Sequence, residues 1–506
     1  MHVRKFFVKS AFTIINTFSW RNDSFYSFYS IFSLVLAVTI WRLITLLNQP
    51  LELFFDEAQY WIWAQAPAWG YFSKPPIIAW IISLTTKICG DSEPCIRSGA
   101  PLAYMVGTLA LYDVGRRLYS SVIGFWAAAI FLTLPGVAFS AIVISVDPFL
   151  LMFWAIALAV LVRALVEEHL AWWVVLGGVM GLGFLSKYAM LFFILSLLCY
   201  LIFAPIRRRL LQTVGPWLSV ILAFICLAPN LLWNATHDFV TLRHTTENAH
   251  LAIASFLHPD KALAFISAQF AVFGPIPMIM LIRLATRFYF VIHLDKNASL
   301  NFAFTLPILV SMIIEAFLSR AHANWAAPAF VSATVLVVAW FLCQKRIWLL
   351  RVTLVLHLAI ATVLYNIALV KTSFKEAEQY DPWKRGRGWA AISHMLMNIR
   401  AQHPDTALLF DTRKVLAPVV YYARPIAFDI AIWNPPALAT NHFALIYKLY
   451  QHDYRNFLLV TEHQTARHIA HSFLQTELIA VLHAPLSANV VREVRVFRCE
   501  AFQGYG

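Results

Sequence analysis

Charge is what this sequence lacks most. Only 13% of its residues are Asp, Glu, Lys or Arg, about half the share of an ordinary soluble domain. Acids are the scarcer sign, 26 against 39 Lys and Arg, which leaves a formal charge of +13. Cysteine is sparse too, and its six positions show no metal-like spacing. There is no internal repeat and no low-complexity tract. The one glycine-rich stretch, GGVMGLG at 177–183, has no soluble strand–helix setting around it. Its small residues at four-residue spacing read as close helix packing, not as a phosphate loop.

Apolar residues fill the space that charge leaves. They make up 60% of the chain, with a mean hydropathy of +0.68, and this composition excludes the soluble globular class in favour of a polytopic membrane protein. The basic excess then reads as Lys and Arg in cytoplasmic loops rather than as a nucleic-acid surface. Residues 1–29 hold Arg4, Lys5, Lys9 and Arg21 against a single acid, Asp23. The first apolar run, 30–48, has no small-residue cleavage site and reads as a retained anchor.

Ten further spans are expected near 98–118, 122–143, 148–166, 171–186, 188–204, 214–233, 262–282, 301–319, 325–343 and 347–370, making eleven in all. The short pair at 171–204 also reads as one bent element. Residues 77–88 are too short to span and suit a helix lying on the outer surface. With a cytoplasmic N-terminus, the inner loops carry Arg116, Arg117, Arg163, Arg207, Arg208, Arg209, Arg283, Arg287, Lys296, Lys345 and Arg346, the distribution that fixes orientation. After residue 370 the composition turns polar, with short apolar runs at 407–410, 415–421, 457–460 and 490–497 and helix-like stretches between them, such as 464–473. The expected organisation is therefore a transmembrane domain, 1–370, whose outer-face loop 49–97 carries the active site, followed by a small soluble α/β domain, 371–506, on the same face.

Every conspicuous polar cluster falls on that outer face. Residues 54–76 read FFDEAQYWIWAQAPAWGYFSKPP, an aromatic belt of the kind found at membrane–water interfaces. Asp56 and Glu57 stand at a helix start, where the helix dipole favours acids. Adjacent carboxylates project to different sides, so one can face a pocket while the other makes structural contacts. The Pro75-Pro76 pair fixes the direction of Lys74, which suits a phosphate-binding cation as well as a snorkelling lysine. Asp147-Pro148 reads both as a helix N-cap followed by proline and as a pocket carboxylate. Lys187, between two apolar segments, is costly unless it reaches water or an anion. Arg320 and His322, in SRAHANWAAPAF, enter a span at its outer end, and Arg suits bidentate phosphate contacts. His237, Asp238, Arg243, His244 and His250 share one loop without a metal-ligand spacing and read mainly as surface residues. Cys199, Cys226 and Cys343 read as inert apolar residues. A disulfide between Cys89 and Cys95 is open, and spacing alone does not establish it.

Taken together and in this order, Asp56-Glu57, Tyr71-Phe72 leading to Lys74-Pro75-Pro76, Asp147-Pro148, Leu185-Ser186-Lys187-Tyr188 and residues 320–328 resemble the polyprenyl-phosphate-sugar-dependent membrane glycosyltransferases. That superfamily, of the GT-C type, includes lipid A aminoarabinose transferase and the protein O-mannosyltransferases (families 39 and 83). The resemblance covers about 30–370. It implies a bacterial inner-membrane enzyme that takes a sugar from a polyprenyl-phosphate donor and passes it, with inversion, to a periplasmic acceptor. Lipid A or another glycolipid is preferred over protein as that acceptor. Carried over by position, Asp56 becomes the catalytic carboxylate and Asp147 a second one. Tyr60 and Tyr71 line the pocket, Lys74 contacts the donor phosphate, and Lys187 and Arg320 hold it. Glu57, Arg243 and His322 complete the candidate substrate-binding set. Ser73 stands where aminoarabinose transferases commonly have an acid, which weakens both a metal contact at that position and aminoarabinose as the sugar. No cofactor is required, no metal ligand set is assigned, and no nucleic-acid partner is expected.

The rival class is a transporter or flippase. Transporters place ionisable groups near the bilayer midplane. Here the charged motifs cluster at helix ends, and Arg42 and Glu315 are the nearest mid-span cases.

Overall fold

The structure, a computed structural model, describes residues 26–48, 51–203, 207–249, 257–366, 383–425, 429–435, 439–450, 455–487 and 490–505. Arg4, Lys5, Lys9, Arg21, Asp23 and His250, and the first residues of the polar tail, lie outside them. The chain divides into two compact units. The first comprises 1–47, 74–78 and 97–367, and the second comprises 48–73, 79–96 and 368–506. The second unit thus combines the polar tail with the aromatic segment that follows the first apolar helix.

The first unit is helical. Among the described residues five helices are long and apolar enough to cross a membrane: Phe28–Asn48, Asp147–Glu167, Val214–Ala235, Asn297–Leu318 and Ile347–Tyr365. Shorter apolar helices accompany them, and two expected spans prove to be interrupted. The 122–143 run stops at Leu134, because Pro135 cannot continue the ladder. The 262–282 run breaks at Gly274, whose φ of +88° is left-handed and which is followed by Pro275. The 171–204 stretch is two helices, Leu170–Ser186 and Leu191–Phe203, with Lys187 at the break between them.

Small residues set the packing. A Cβ on Gly177 would lie 2.7 Å from the Ser219 carbonyl oxygen, and one on Gly181 would lie 2.3 Å from Cys226 Cβ. The Leu170–Ser186 and Val214–Ala235 helices therefore pack nearly backbone to backbone, as the 177–183 stretch predicts. Arg42 is buried within Phe28–Asn48. Its Nε donates to the Tyr365 hydroxyl at 3.0 Å and its Nη2 to the Leu132 carbonyl at 2.6 Å. It therefore ties three segments of the unit together. Asp113 gathers Arg116, Arg117 and Arg163 at 2.7, 2.9 and 2.9 Å.

The second unit is built on a five-stranded sheet of order β2-β1-β3-β5-β4. The strands are β1 (Thr406–Phe410), β2 (Ile430–Ile432), β3 (Asn456–Thr461), β4 (Phe473–Ser487) and β5 (Val490–Phe502). β1 runs parallel to both β2 and β3, while β3–β5 and β5–β4 are antiparallel. Leu409, Phe457, Leu459, Ile469, Phe473, Phe497 and Phe502 form the core of one face. Three of the four apolar runs in the tail are strands. The fourth, 415–421, is the buried part of the helix Arg413–Tyr422, since a short run buried on most sides reads the same in either state. The expected helical stretch 464–473 shrinks to Arg467–Ala470, and β4 begins at Phe473.

Candidate active site

In the helical unit the candidate residues converge on Asp147. This residue opens the helix Asp147–Glu167, with Pro148 at its first turn. It is not the N-cap, a position held by Val146 without a side-chain bond. The carboxylate is turned instead to partners from elsewhere. Lys187 Nζ lies 2.6 Å from Oδ1, and Asn324 Nδ2 donates to Oδ2 at 2.7 Å. The turn that carries Lys187 is anchored behind it. Tyr188 donates its hydroxyl proton to Asn230 Oδ1 at 2.6 Å, and Asn234 Nδ2 donates to the Tyr188 oxygen at 3.3 Å. The break between two apolar helices therefore holds the lysine in a fixed direction.

His322 belongs to the same group. Partial desolvation of this largely exposed residue, and then the charges of Arg320, Lys187 and Lys74, hold its imidazole below the ordinary histidine value. Asp147, His322 and Asn324 also line a cavity of about 430 Å³, along with Tyr104, Phe131 and Phe330. Such a cavity, apolar with a few polar groups, suits an amphiphile that carries a charged group. Arg243 lies on the helix Val240–Ala249, where its Nε is 3.9 Å from Glu247. The residues sequence reasoning underrated here are Asn324 and Tyr104, neither of which carries a charge to draw notice.

The second unit holds the other candidates. The helix Phe55–Gln65 begins with a capping bond, in which Phe54 N–H donates to Glu57 Oε2 at 3.0 Å. Glu57 is buried and so supplies the structural half of the acidic pair. Asp56 is half exposed. Its Oδ1 accepts from Arg413 Nη1 at 2.8 Å, and the same nitrogen reaches Gln59 Oε1 at 3.0 Å. Arg413 stands 357 residues away in sequence, and nothing in its local sequence marks it. Tyr60 is buried and packs on Trp63 at 5.1 Å. Tyr71 stacks on Trp63 with centroids 4.7 Å apart. Its hydroxyl donates toward the Trp63 and Ala66 carbonyls and accepts from Ala68 N–H. Burial pushes the Tyr71 phenol up to about 12, so it stays neutral and shapes the wall behind Asp56's helix. Cys89 and Cys95 form a disulfide. Beside it, Trp61 Nε1 donates to Asp91 Oδ1 at 2.6 Å.

Helices long and apolar enough to cross a membrane, with a buried carboxylate paired to a lysine and an amide beside an apolar cavity, define an integral-membrane protein. The comparisons with known proteins give the family. Residues 73–233 match the family described as dolichyl-phosphate-mannose-protein mannosyltransferase. A lipid A galacturonosyltransferase of Rhizobium johnstonii, RgtD, is 32% identical over 412 residues, which is 81% of this chain and 86% of that protein. The fold matches crystal structures of ArnT from Cupriavidus metallidurans. The apo state gives a TM-score of 0.61 at 13% identity, covering 92% of this chain and 97% of that one. The state bound to undecaprenyl phosphate gives 0.63 at 14%, with the same coverage. The chain belongs to the same glycosyltransferase family as RgtD, it is a glycosyltransferase, and its fold is that of ArnT.

Proposed function

We propose that this enzyme transfers a hexuronic acid from a polyprenyl-phosphate donor to lipid A or a related glycolipid, with inversion at the anomeric carbon. The observation that carries the reading is the Asp147–Lys187–Asn324 group beside the cavity that Asp147, Asn324 and His322 line. A lipid phosphate is a charged leaving group, and fixed cations stabilise the charge that develops on it. Lys187, Lys74 and Arg320 take that role. Asp147 aims Lys187, and Asn324 holds the second carboxylate oxygen. A uronic acid adds a second anion to the donor, which suits a cation-rich site. The choice of sugar and acceptor is supported by the 32% identical lipid A galacturonosyltransferase.

Asp56 is the catalytic carboxylate. It accepts a proton where the acceptor is a hydroxyl, and where the acceptor is a phosphate it orients that group or stabilises positive charge at the sugar carbon. Arg413 fixes its orientation through Oδ1. The membrane arrangement proposed with this reading is eleven spans in a bacterial inner membrane. The N-terminus is cytoplasmic, and the domain 371–506 and loop 49–97 are periplasmic. The Cys89–Cys95 disulfide supports that placement of the loop, since disulfides persist in the periplasm.

The test is mass spectrometry of lipid A and glycolipids from cells with the wild-type gene, no gene, or Asp56→Asn. Loss of one hexuronic-acid-sized increment in both altered strains is the expected result. Identical spectra in all three would sink the lipid acceptor, and an increment on secreted proteins would move the reading to protein glycosylation.

A further inference from the structure

The second unit carries a cluster that the transfer reaction does not use. β1 ends at Phe410 and β3 at Thr461, and the two strands are parallel neighbours with Phe410 paired to Val460. The next residues, Asp411 and Thr461, therefore emerge side by side at the carboxyl ends. The order β2-β1-β3 makes this the place where the chain turns to opposite sides of β1. Open α/β sheets bind ligands at such a switch point, outside the carboxyl ends of the strands. Two histidines meet Asp411 there. His463 lies two residues past the end of β3, its backbone N–H held by Thr461 Oγ1 at 2.9 Å. His468 comes from the turn of helix Arg467–Ala470. His468 Nε2 lies 3.1 Å and His463 Nε2 3.9 Å from Asp411 Oδ2. The candidate ligand atoms of all three side chains fall within 4.8 Å of one another.

We propose that Asp411, His463 and His468 bind a divalent transition-metal ion of the Zn²⁺ class. A second observation points the same way. The Asp411 side chain is only 4% exposed, yet among the described residues its Oδ1 has no hydrogen-bond partner. A buried carboxylate oxygen left unpartnered is costly, and a cation on the pair removes that cost. Thr461 Oγ1 donates to Oδ2 at 2.5 Å, which orients the carboxylate as outer-shell donors do in metal sites. The donor set chooses the metal. Two imidazoles and one carboxylate suit Zn²⁺, Fe²⁺ or Co²⁺, whereas Mg²⁺ and Ca²⁺ take oxygen ligands. Ligand atoms around tetrahedral Zn²⁺ stand about 3.4 Å apart, so the cluster must tighten by roughly an ångström. His463, 67% exposed, can supply most of that by changing rotamer. Three protein ligands leave one position open to water or an anionic ligand.

The test is calorimetric titration of Zn²⁺ into the full-length, untagged protein in detergent after treatment with a chelator. Substitution with Co²⁺ reports the ligand field independently of activity. The expected result is one site per chain, with micromolar affinity, proton release on binding and no competition from millimolar Mg²⁺. His463→Gln and His468→Gln weaken it at least tenfold each, and both lie at the surface, where they spare the fold. Asp411→Asn weakens it further. Absence of a saturable site, or a site of unchanged affinity in the double His463→Gln, His468→Gln variant, would overturn the proposal and leave a plain histidine–aspartate hydrogen bond.

Discussion

Lys187 and Asp147 stand forty residues apart in sequence and share a 2.6 Å ion pair in which both side chains are largely buried. Breaking such a pair from one side leaves an uncompensated charge, at a cost of about 3–5 kcal/mol. Lys187→Met and Asp147→Asn are each expected to lower kcat by about 100-fold or more and to lower the thermal midpoint. The double variant loses little beyond either single one, because the two groups act as a unit. A double-mutant cycle on kcat/KM and on the thermal midpoint in detergent checks this. Additive losses would mean that the two residues work separately.

Arg413 and Asp56 make the opposite case. Both side chains are a third or more exposed, so their ion pair contributes no more than about 1 kcal/mol of stability. Arg413→Gln is expected to leave the thermal midpoint nearly unchanged. It removes a charge-assisted bond to the proposed catalytic carboxylate, which lowers kcat by roughly ten- to a hundredfold. Asp56→Asn costs more. A variant as unstable as it is inactive would reassign Arg413 to structure.

His322 predicts the pH dependence. Its folded-state value lies below the ordinary histidine value, with partial desolvation the largest cause and Arg320 the next. Below the ordinary value the unfolded chain takes up a proton that the folded chain refuses. Stability therefore rises with pH across that window. As pH falls, the loss begins near the ordinary value and is complete at the folded one. His322→Gln is expected to flatten this slope, and Arg320→Met to shift the acid limb of the activity profile upward. Thermal midpoints and rates measured across mildly acid pH decide the matter.

Gly181 and Gly178 give a matched pair on one helix. A Cβ at Gly181 would lie 2.3 Å from Cys226 Cβ, while one at Gly178 would meet nothing within 4 Å. Gly181→Ala is expected to destabilise by about 1–3 kcal/mol through overpacking. Gly178→Ala is expected to be neutral, or stabilising by up to about 1 kcal/mol from helix propensity. Equal effects would contradict the packing of Leu170–Ser186 on Val214–Ala235.

Much of this was legible in the sequence, for definite reasons. Hydropathy exposes the spanning helices because lipid demands it, and Lys187 stands out because a charge among apolar neighbours is costly. The close approach at 177–183 could be read from glycine spacing alone. What stayed hidden depends on residues remote in sequence. Arg413 is an ordinary basic residue until the fold sets it beside Asp56. Asn324 carries no charge, and its bond to Asp147 spans 177 residues. The helix Arg413–Tyr422 looked like its strand neighbours because tertiary burial, not periodicity, fills its sequence with apolar groups. His463 and His468 meet Asp411 only through the pairing of β1 with β3.

The second unit joins segments that the ribosome makes far apart. Leu53 N–H donates to the Tyr422 hydroxyl at 2.7 Å, Glu52 Oε2 accepts from Trp389 N–H at 2.6 Å, and Tyr421 donates to the Asp91 carbonyl at 2.7 Å. At about 5–20 residues per second, residues 48–96 wait tens of seconds for these partners while the spanning helices are inserted. Assembly of that unit therefore belongs to the last stage of synthesis. A chain truncated near residue 370 would leave the aromatic segment after the first helix without its partners, however well the membrane part inserts.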